Sequence, residues 1–199
     1  MRSIVVLALC LVAIPVRAGD KPKPPAARVS PAELFTGELK KLEPHLGLTA
    51  SGCVAVEPAG GEQAFYLQLE EWKDGKRADS LPGLSLTSGK PFEVSVSVRE
   101  DPGRFGKPMY RVVVAWSGGG KSESRAGRVA IFETGDGLTV YPKKPLARAI
   151  DLEERGSAVV WGLMAGKLRD STIDPKESVE EMAKRVPWAL VLRIQSDRK

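Results

Sequence analysis

Apolar and polar residues alternate with a period of two over much of the chain. Phe92, Val94, Val96 and Val98 alternate with Glu93, Ser95, Ser97 and Arg99. Successive side chains of a strand point to opposite faces, so this segment predicts a strand with one dry and one wet face. From Cys53 onward the same period recurs. Phe65, Leu67 and Leu69 alternate with Tyr66, Gln68 and Glu70, and Trp188, Leu190, Leu192 and Ile194 form a last alternating strand. Tyr110 to Trp116 is apolar at nearly every position, as expected of a central strand covered on both sides. Ser157 to Met164 is a further apolar run. Val129 and Ile131 on one side, and Leu138 and Val140 on the other, flank Thr134-Gly135-Asp136-Gly137, a combination that predicts a hairpin. Asp74-Gly75, Ser88-Gly89, Asp101-Pro102-Gly103 and Ser117 to Gly120 supply turns between the runs.

Two segments carry helix signals instead. Ser30-Pro31-Ala32-Glu33 has a capping residue, a proline at the first helical position and an acid three residues on. Leu34, Phe35, Leu39 and Leu42 then share one helical face, and Pro44 closes the element. Asp174-Pro175-Lys176-Glu177 repeats the start signal ahead of Val179, Met182 and Ala183, with Pro187 ending that helix before the final strand. Residues 145–155 fit either a short helix or a strand pair. About seven short strands predict an all-β fold, an antiparallel sandwich or open barrel, with an N-terminal helix and one helix before the last strand. An α+β arrangement is the alternative.

The first 18 residues follow another pattern. Arg2 precedes an uncharged apolar run from Ile4 to Ile14, and Val16-Arg17-Ala18 ends it with small residues at the cleavage positions. That order predicts a cleavable signal peptide, and the run is too short to span ~30 Å of hydrocarbon. Leu9 stands before Cys10 where a lipidation site needs a small residue, so cleavage after Ala18 is expected. Residues 19–29 (GDKPKPPAARV) read as a Pro/Lys-rich linker. Residues 30–199 then form a single β-rich domain, secreted or periplasmic, with no membrane span after signal cleavage.

Composition narrows the function classes. Losing Arg2 and Arg17 lowers Lys+Arg from 30 to 28 against 25 acids, a net charge of about +3. The positive charges are scattered among acids, so no nucleic-acid footprint is expected. Cys53 remains as the one cysteine of the mature chain, which leaves no internal disulfide, and the core must carry stability.

Several motifs touch on chemistry without completing it. Gly120-Lys121-Ser122 matches the end of a phosphate-binding loop, but Ala115 stands where its first glycine belongs and a strand at Val129 leaves no room for the helix. Ser51-Gly52-Cys53-Val54, with His45 upstream, resembles over four residues the nucleophile segment of exported L,D-transpeptidases. Ala55 replaces that signature's Arg, and His45 lies too close in sequence to be its paired base, so membership is not assigned. One histidine and one mature cysteine cannot furnish a zinc site, and Asp101 and Asp136 lack a spaced calcium loop. No metal or cofactor is expected. The paired acids Glu70-Glu71, Glu100-Asp101, Glu153-Glu154 and Glu180-Glu181 read as solvated faces.

The aromatics carry phase information. Tyr66 and Trp72 fall opposite Phe65, Leu67 and Leu69, on the wet face of their strand, where exposed rings can stack on a sugar or anchor a protein. They are the candidate ligand-binding residues. Two functions from different classes remain open. One is an exported non-catalytic β-sandwich of the cell envelope or exterior that binds a protein or glycan partner or serves structurally. The other is an exported carboxylate-dependent hydrolase, such as a glycan-acting enzyme. Strands dominate, histidine is nearly absent and no nucleophile motif is complete, which favours the non-enzymatic class.

Overall fold

The computed structural model describes residues 25–81, 83–101, 109–118, 125–133, 138–140, 148–165 and 177–197. Strands dominate: β1 (Ala27–Ala32), β2 (Ala50–Pro58), β3 (Gln63–Lys73), β4 (Lys76–Ser80), β5 (Leu84–Ser88), β6 (Phe92–Asp101) and β7 (Met109–Gly118). They continue as β8 (Arg125–Glu133), β9 (Leu138–Val140), β10 (Ile150–Leu152), β11 (Ser157–Ala165) and β12 (Trp188–Asp197). A 3-10 segment, Gly37–Leu46, follows β1, and a short helix, α1 (Val179–Ala183), precedes β12.

Every pairing is antiparallel. Sheet A runs β10-β1-β2-β6-β7-β8; sheet B runs β4-β3-β12-β11-β9, with β5 also on β3. Both sheets are open, and they stack as a sandwich rather than closing into a barrel. The Asp74-Gly75 turn behaves as its composition predicts. Both residues have positive φ, 51° and 75°, the geometry a tight two-residue hairpin needs, and they join β3 to β4.

Alternation decides which residues fill the space between the sheets. Phe92, Val94, Val96 and Val98 of β6 are all buried and meet Phe65, Leu67 and Leu69 of β3 and Leu190, Leu192 and Ile194 of β12 in one cluster. Phe65 and Phe92 join the two sheets edge to face, their centroids 5.1 Å apart. Gly52 lies on the same inner face. A Cβ built there would stand 2.4 Å from Cδ1 of Trp161, so glycine is what lets that indole fit against β2.

Sheet B is dry on its outer face as well. Trp72, Val159, Met164, Ala189 and Val191 form a second cluster with Val179, Met182 and Ala183 of α1 and with Val186. The helix is started by Ser178, whose hydroxyl accepts from the Glu181 amide while the Glu181 carboxylate reaches back to the Ser178 amide.

Three sequence expectations change, and two are made more definite. The helix expected from Ser30 is absent: Ser30 and Pro31 belong to β1, opposite Ala55 and Val54. Long-range pairing on both sides of β1 outweighs the local cap signal, and only the short 3-10 segment follows. Ala27 and Val29, in the stretch read as a linker, are buried in that strand. Val129, Ile131, Leu138 and Val140 do not make a hairpin; β8 pairs with β7 in sheet A, and β9 with β11 in sheet B. The late helix is capped by Ser178, and Asp174 to Lys176 lie outside the described residues. Within 145–155, β10 is a strand paired with β1.

Candidate functional site

Tyr66 and Trp72 do share the outer face of sheet B, as their phase requires, but they do not form an open platform. Trp72 is 7% exposed, because α1 and Val186 lie across it. Tyr66 is half-buried, and its hydroxyl accepts the Gly83 amide at 3.0 Å. A Cβ at Gly83 would meet the Tyr66 ring at 2.4 Å, so ring and glycine are in close contact. Both aromatics are engaged by their own chain.

The same face holds a charge cluster that the sequence did not single out. Glu70 is fully buried. Its carboxylate accepts Arg193 Nε at 2.9 Å and a terminal nitrogen of the same guanidinium at 3.2 Å, a forked pairing that suits the planar donor. Arg77 of β4 approaches to 3.3 Å, and Trp72 Nε1 donates at 3.3 Å. Arg193 also bonds Glu180 of α1 at 3.3 Å and the Ser157 hydroxyl at 3.4 Å. One buried acid therefore ties β3, β4 and β12 together, and through Arg193 the helix and β11.

Two more of the paired acids, Glu71 and Glu181, have roles of their own in the fold: one bridges strands and one caps a helix. Glu71, next to Glu70 but on the opposite face, accepts from Trp188 Nε1 at 2.8 Å and pairs with Lys73 at 3.1 Å. Glu181 serves the cap, where the Ser178 amide and hydroxyl hold its carboxyl below the usual range. Among the described residues, no group of three or more His, Cys, Asp or Glu side chains gathers where a metal could be held.

Cys53 sits on β2, 3% exposed, as a free thiol. Burial, with help from the Glu93 carboxylate and against a Val54 backbone hydrogen bond, pushes its thiol up to about 11. A thiol so placed is protonated near neutrality and is a poor nucleophile. His45 is exposed on the 3-10 segment. The Gly119 to Ser122 stretch lies outside the described residues.

The 3-10 segment contributes a different kind of surface. None of its side chains is buried. Leu39, Leu42 and Leu46 are 54%, 51% and 44% exposed, and among the described residues they are the exposed large hydrophobics. Gly37 and Gly47, both with positive φ, bound the segment, and Pro44 breaks it internally. Lys40 pairs with Glu33 at 2.7 Å and Lys41 with Glu38 at 2.5 Å, beside the leucines. Glu43 receives the Ser51 hydroxyl at 3.4 Å. An open groove of about 490 Å³ lies between the segment and β2, lined by Leu34, Phe35, Lys40, Glu43, Ser51 and Cys53 among others. Sequence reasoning placed Leu39 and Leu42 on a packing face. The signal against it was Gly37 and Pro44, which deny the segment a regular helix able to lay one stripe on the core.

Comparison with family models, with curated proteins and with solved structures gave no match.

Proposed function

We propose that this chain is an exported, non-catalytic β-sandwich module of the cell envelope or exterior that docks a partner protein through Leu39, Leu42 and Leu46. The observation that carries this reading is a ten-residue segment with no buried side chain and three exposed leucines. Ordering a residue costs roughly 1–2 kcal/mol of backbone entropy, and this segment recovers little of that by burial within its own chain. A partner that covers the leucines recovers it. Aliphatic side chains favour a protein over a glycan, since sugars stack on aromatic faces and Tyr66 and Trp72 are already engaged. Two features support a non-catalytic role: the protonated, buried Cys53 and the saturated Glu70. Export rests on the order of residues 1–18; among the described residues no helix is long and apolar enough to cross a membrane.

A photo-crosslinking residue at position 42, in cells of the host, tests the docking surface. Adducts with a protein should form and should disappear when Leu39 and Leu46 are changed to Ser. Adducts no more abundant than those from position 87, exposed on β5, would overturn the reading. Mass spectrometry of the exported material tests the other half: its chain should begin at Gly19. A chain retaining Met1 to Ala18, or one lipidated at Cys10, would refute export by signal cleavage.

A further inference from the structure

We infer that residues 37–46 form a two-position strap, which rolls about its own axis to present Leu39 and Leu42 outward or to hide them in the groove it borders. In a 3-10 segment side chains three apart eclipse one another, so this stretch carries three straight ridges. Lys40 and Glu43 make the ridge that lines the groove. Glu38 and Lys41, joined by an ion pair, make the second, with Pro44. Leu39, Leu42 and His45 make the third, which is exposed. The groove thus meets a charged ridge of the strap, although Leu34, Phe35 and Cys53 give it apolar walls. A roll of about 120° exchanges the two ridges. Leu39 and Leu42 then face Leu34, Phe35 and Cys53, while Lys40 and Glu43 turn to water.

Little resists the roll. No side chain of the segment is buried. The Lys40–Glu33 pair at 2.7 Å is exposed on both partners and worth little, and the Ser51 hydroxyl meets Glu43 at a long 3.4 Å. Gly37 and Gly47 stand at the two ends with φ of 54° and 60°, and nothing lies within 4 Å of a Cβ built on either. Both glycines therefore have room to absorb a change in dihedral angle. Burying the leucine ridge removes apolar area from water, and both charges keep their hydration in the rolled position. The docking reading supplies the consequence: a partner selects the outward position, and the inward one withholds the surface from it.

Disulfide trapping onto Cys53 tests the strap. In a chain carrying Cys10→Ser, Cys53 is the sole native thiol, and it lies on the groove wall. Glu43→Cys, beside Ser51 on the same face of β2 as Cys53, reports the outward position. Leu39→Cys and Leu42→Cys report the inward one, and Lys41→Cys, on the remaining ridge, reports neither. With glutathione disulfide as oxidant, the first three should each close an intramolecular bridge roughly tenfold faster than Lys41→Cys, because a bridge needs Cα atoms within about 7 Å. Mass spectrometry reads the bridge, and circular dichroism melts confirm that each sandwich is intact. Leucine-site cysteines that bridge no faster than Lys41→Cys overturn the inference. So does a Glu43→Cys chain that fails to bridge, since the strap would then have one position. With the photo-crosslinking residue at 42, closing Leu39→Cys onto Cys53 should abolish adducts, and a reductant should restore them. Adducts that persist in the bridged chain refute the switch and leave the docking reading standing. No adducts from the reduced chain sink the docking reading, while the two positions stand on the bridges alone.

Discussion

Replacing Glu70 by Gln should destabilise the sandwich by about 3 kcal/mol, and the size follows from what the carboxylate holds. Removing one partner of a buried ion pair costs roughly 3–5 kcal/mol, because the other charge is left in a poorly solvated place. Arg193 would not be wholly abandoned: Glu180 stays at 3.3 Å, Ser157 at 3.4 Å, and the side chain keeps 19% exposure. That places the cost at the low end of the range. Arg77, 48% exposed on its side chain, adds at most about 1 kcal/mol. Urea melts measure the loss; with an m of about 2 kcal/mol/M the midpoint should fall by roughly 1.5 M. A double-mutant cycle with Arg193→Met isolates the pair. Each single change should cost about 3 kcal/mol and the double change about the same, which makes the coupling about 3 kcal/mol. Additive costs, or a Glu70→Gln loss below about 1 kcal/mol, would mean that the cluster is not a buried pair and that apolar contacts alone seat α1.

Three further outcomes test other parts of the structure. Val96, 1% exposed on the inner face of β6, should not tolerate Asp, and urea melts should find Val96→Asp unfolded or deeply destabilised. Ser95→Asp, one residue away on the outer face, should shift stability by no more than about 1 kcal/mol; similar losses in both would contradict the strand's facing. Gly52→Ala should cost about 1–3 kcal/mol by thermal or urea melt, since its new methyl meets the Trp161 ring with no room to move, and an unchanged melt would show that the indole is not wedged there. The Cys53 thiol makes stability depend on alkaline pH. Its folded value of about 11 exceeds the ordinary 9.0, so the folded chain holds the proton longer than the unfolded one. The contribution, up to about 2–3 kcal/mol, is fully present below pH 9 and is lost as pH rises from 9 to about 11. Cys53→Ala should flatten that stretch of the stability curve, and an identical alkaline slope in both proteins would exclude the thiol as its source.

The strands with the cleanest alternation were legible because their periodicity is a local property. The inner rows of β3 and β6 fall where their phase places them, and Asp74-Gly75 makes its tight turn without help from elsewhere. What was not legible depends on residues far apart in the chain. Ser30-Pro31 reads as a helix start until β2 pairs with it and β10, from residues 150–152, pairs with the three residues before it. Glu70 reads as half of a solvated acid pair because its arginine lies 123 residues later. Trp72 reads as exposed because α1 arrives more than 100 residues downstream. One signal did foretell the cover. Trp188 to Leu192 is apolar at five consecutive positions, so β12 is dry on both faces, and its neighbour in the same sheet shares that covered outer side. The exposure of Leu39, Leu42 and Leu46 rests on the absence of a regular helix, which Gly37 and Pro44 did announce.

The position of β12 bears on the order in which the chain can acquire its structure. This strand joins β3 over residues 64–73 and β11 over residues 157–165, so it is the middle of sheet B while being the last in sequence of the described strands. Until residues 188–197 emerge, β3 has neither its longest ladder nor Leu192 and Ile194 of β12 across from Leu69 and Leu67. Early closure of sheet B during synthesis is therefore disfavoured, since it waits for contacts between residues 64–73 and residues 188–197, more than 100 positions apart, and such contacts form slowly. Through that interval β3 and β11 lack the strand that lies between them. The gap between β3 and β11 leaves apolar edges open in that interval, and the yield should depend on whatever shields them during that time more than on the stability of the finished sandwich.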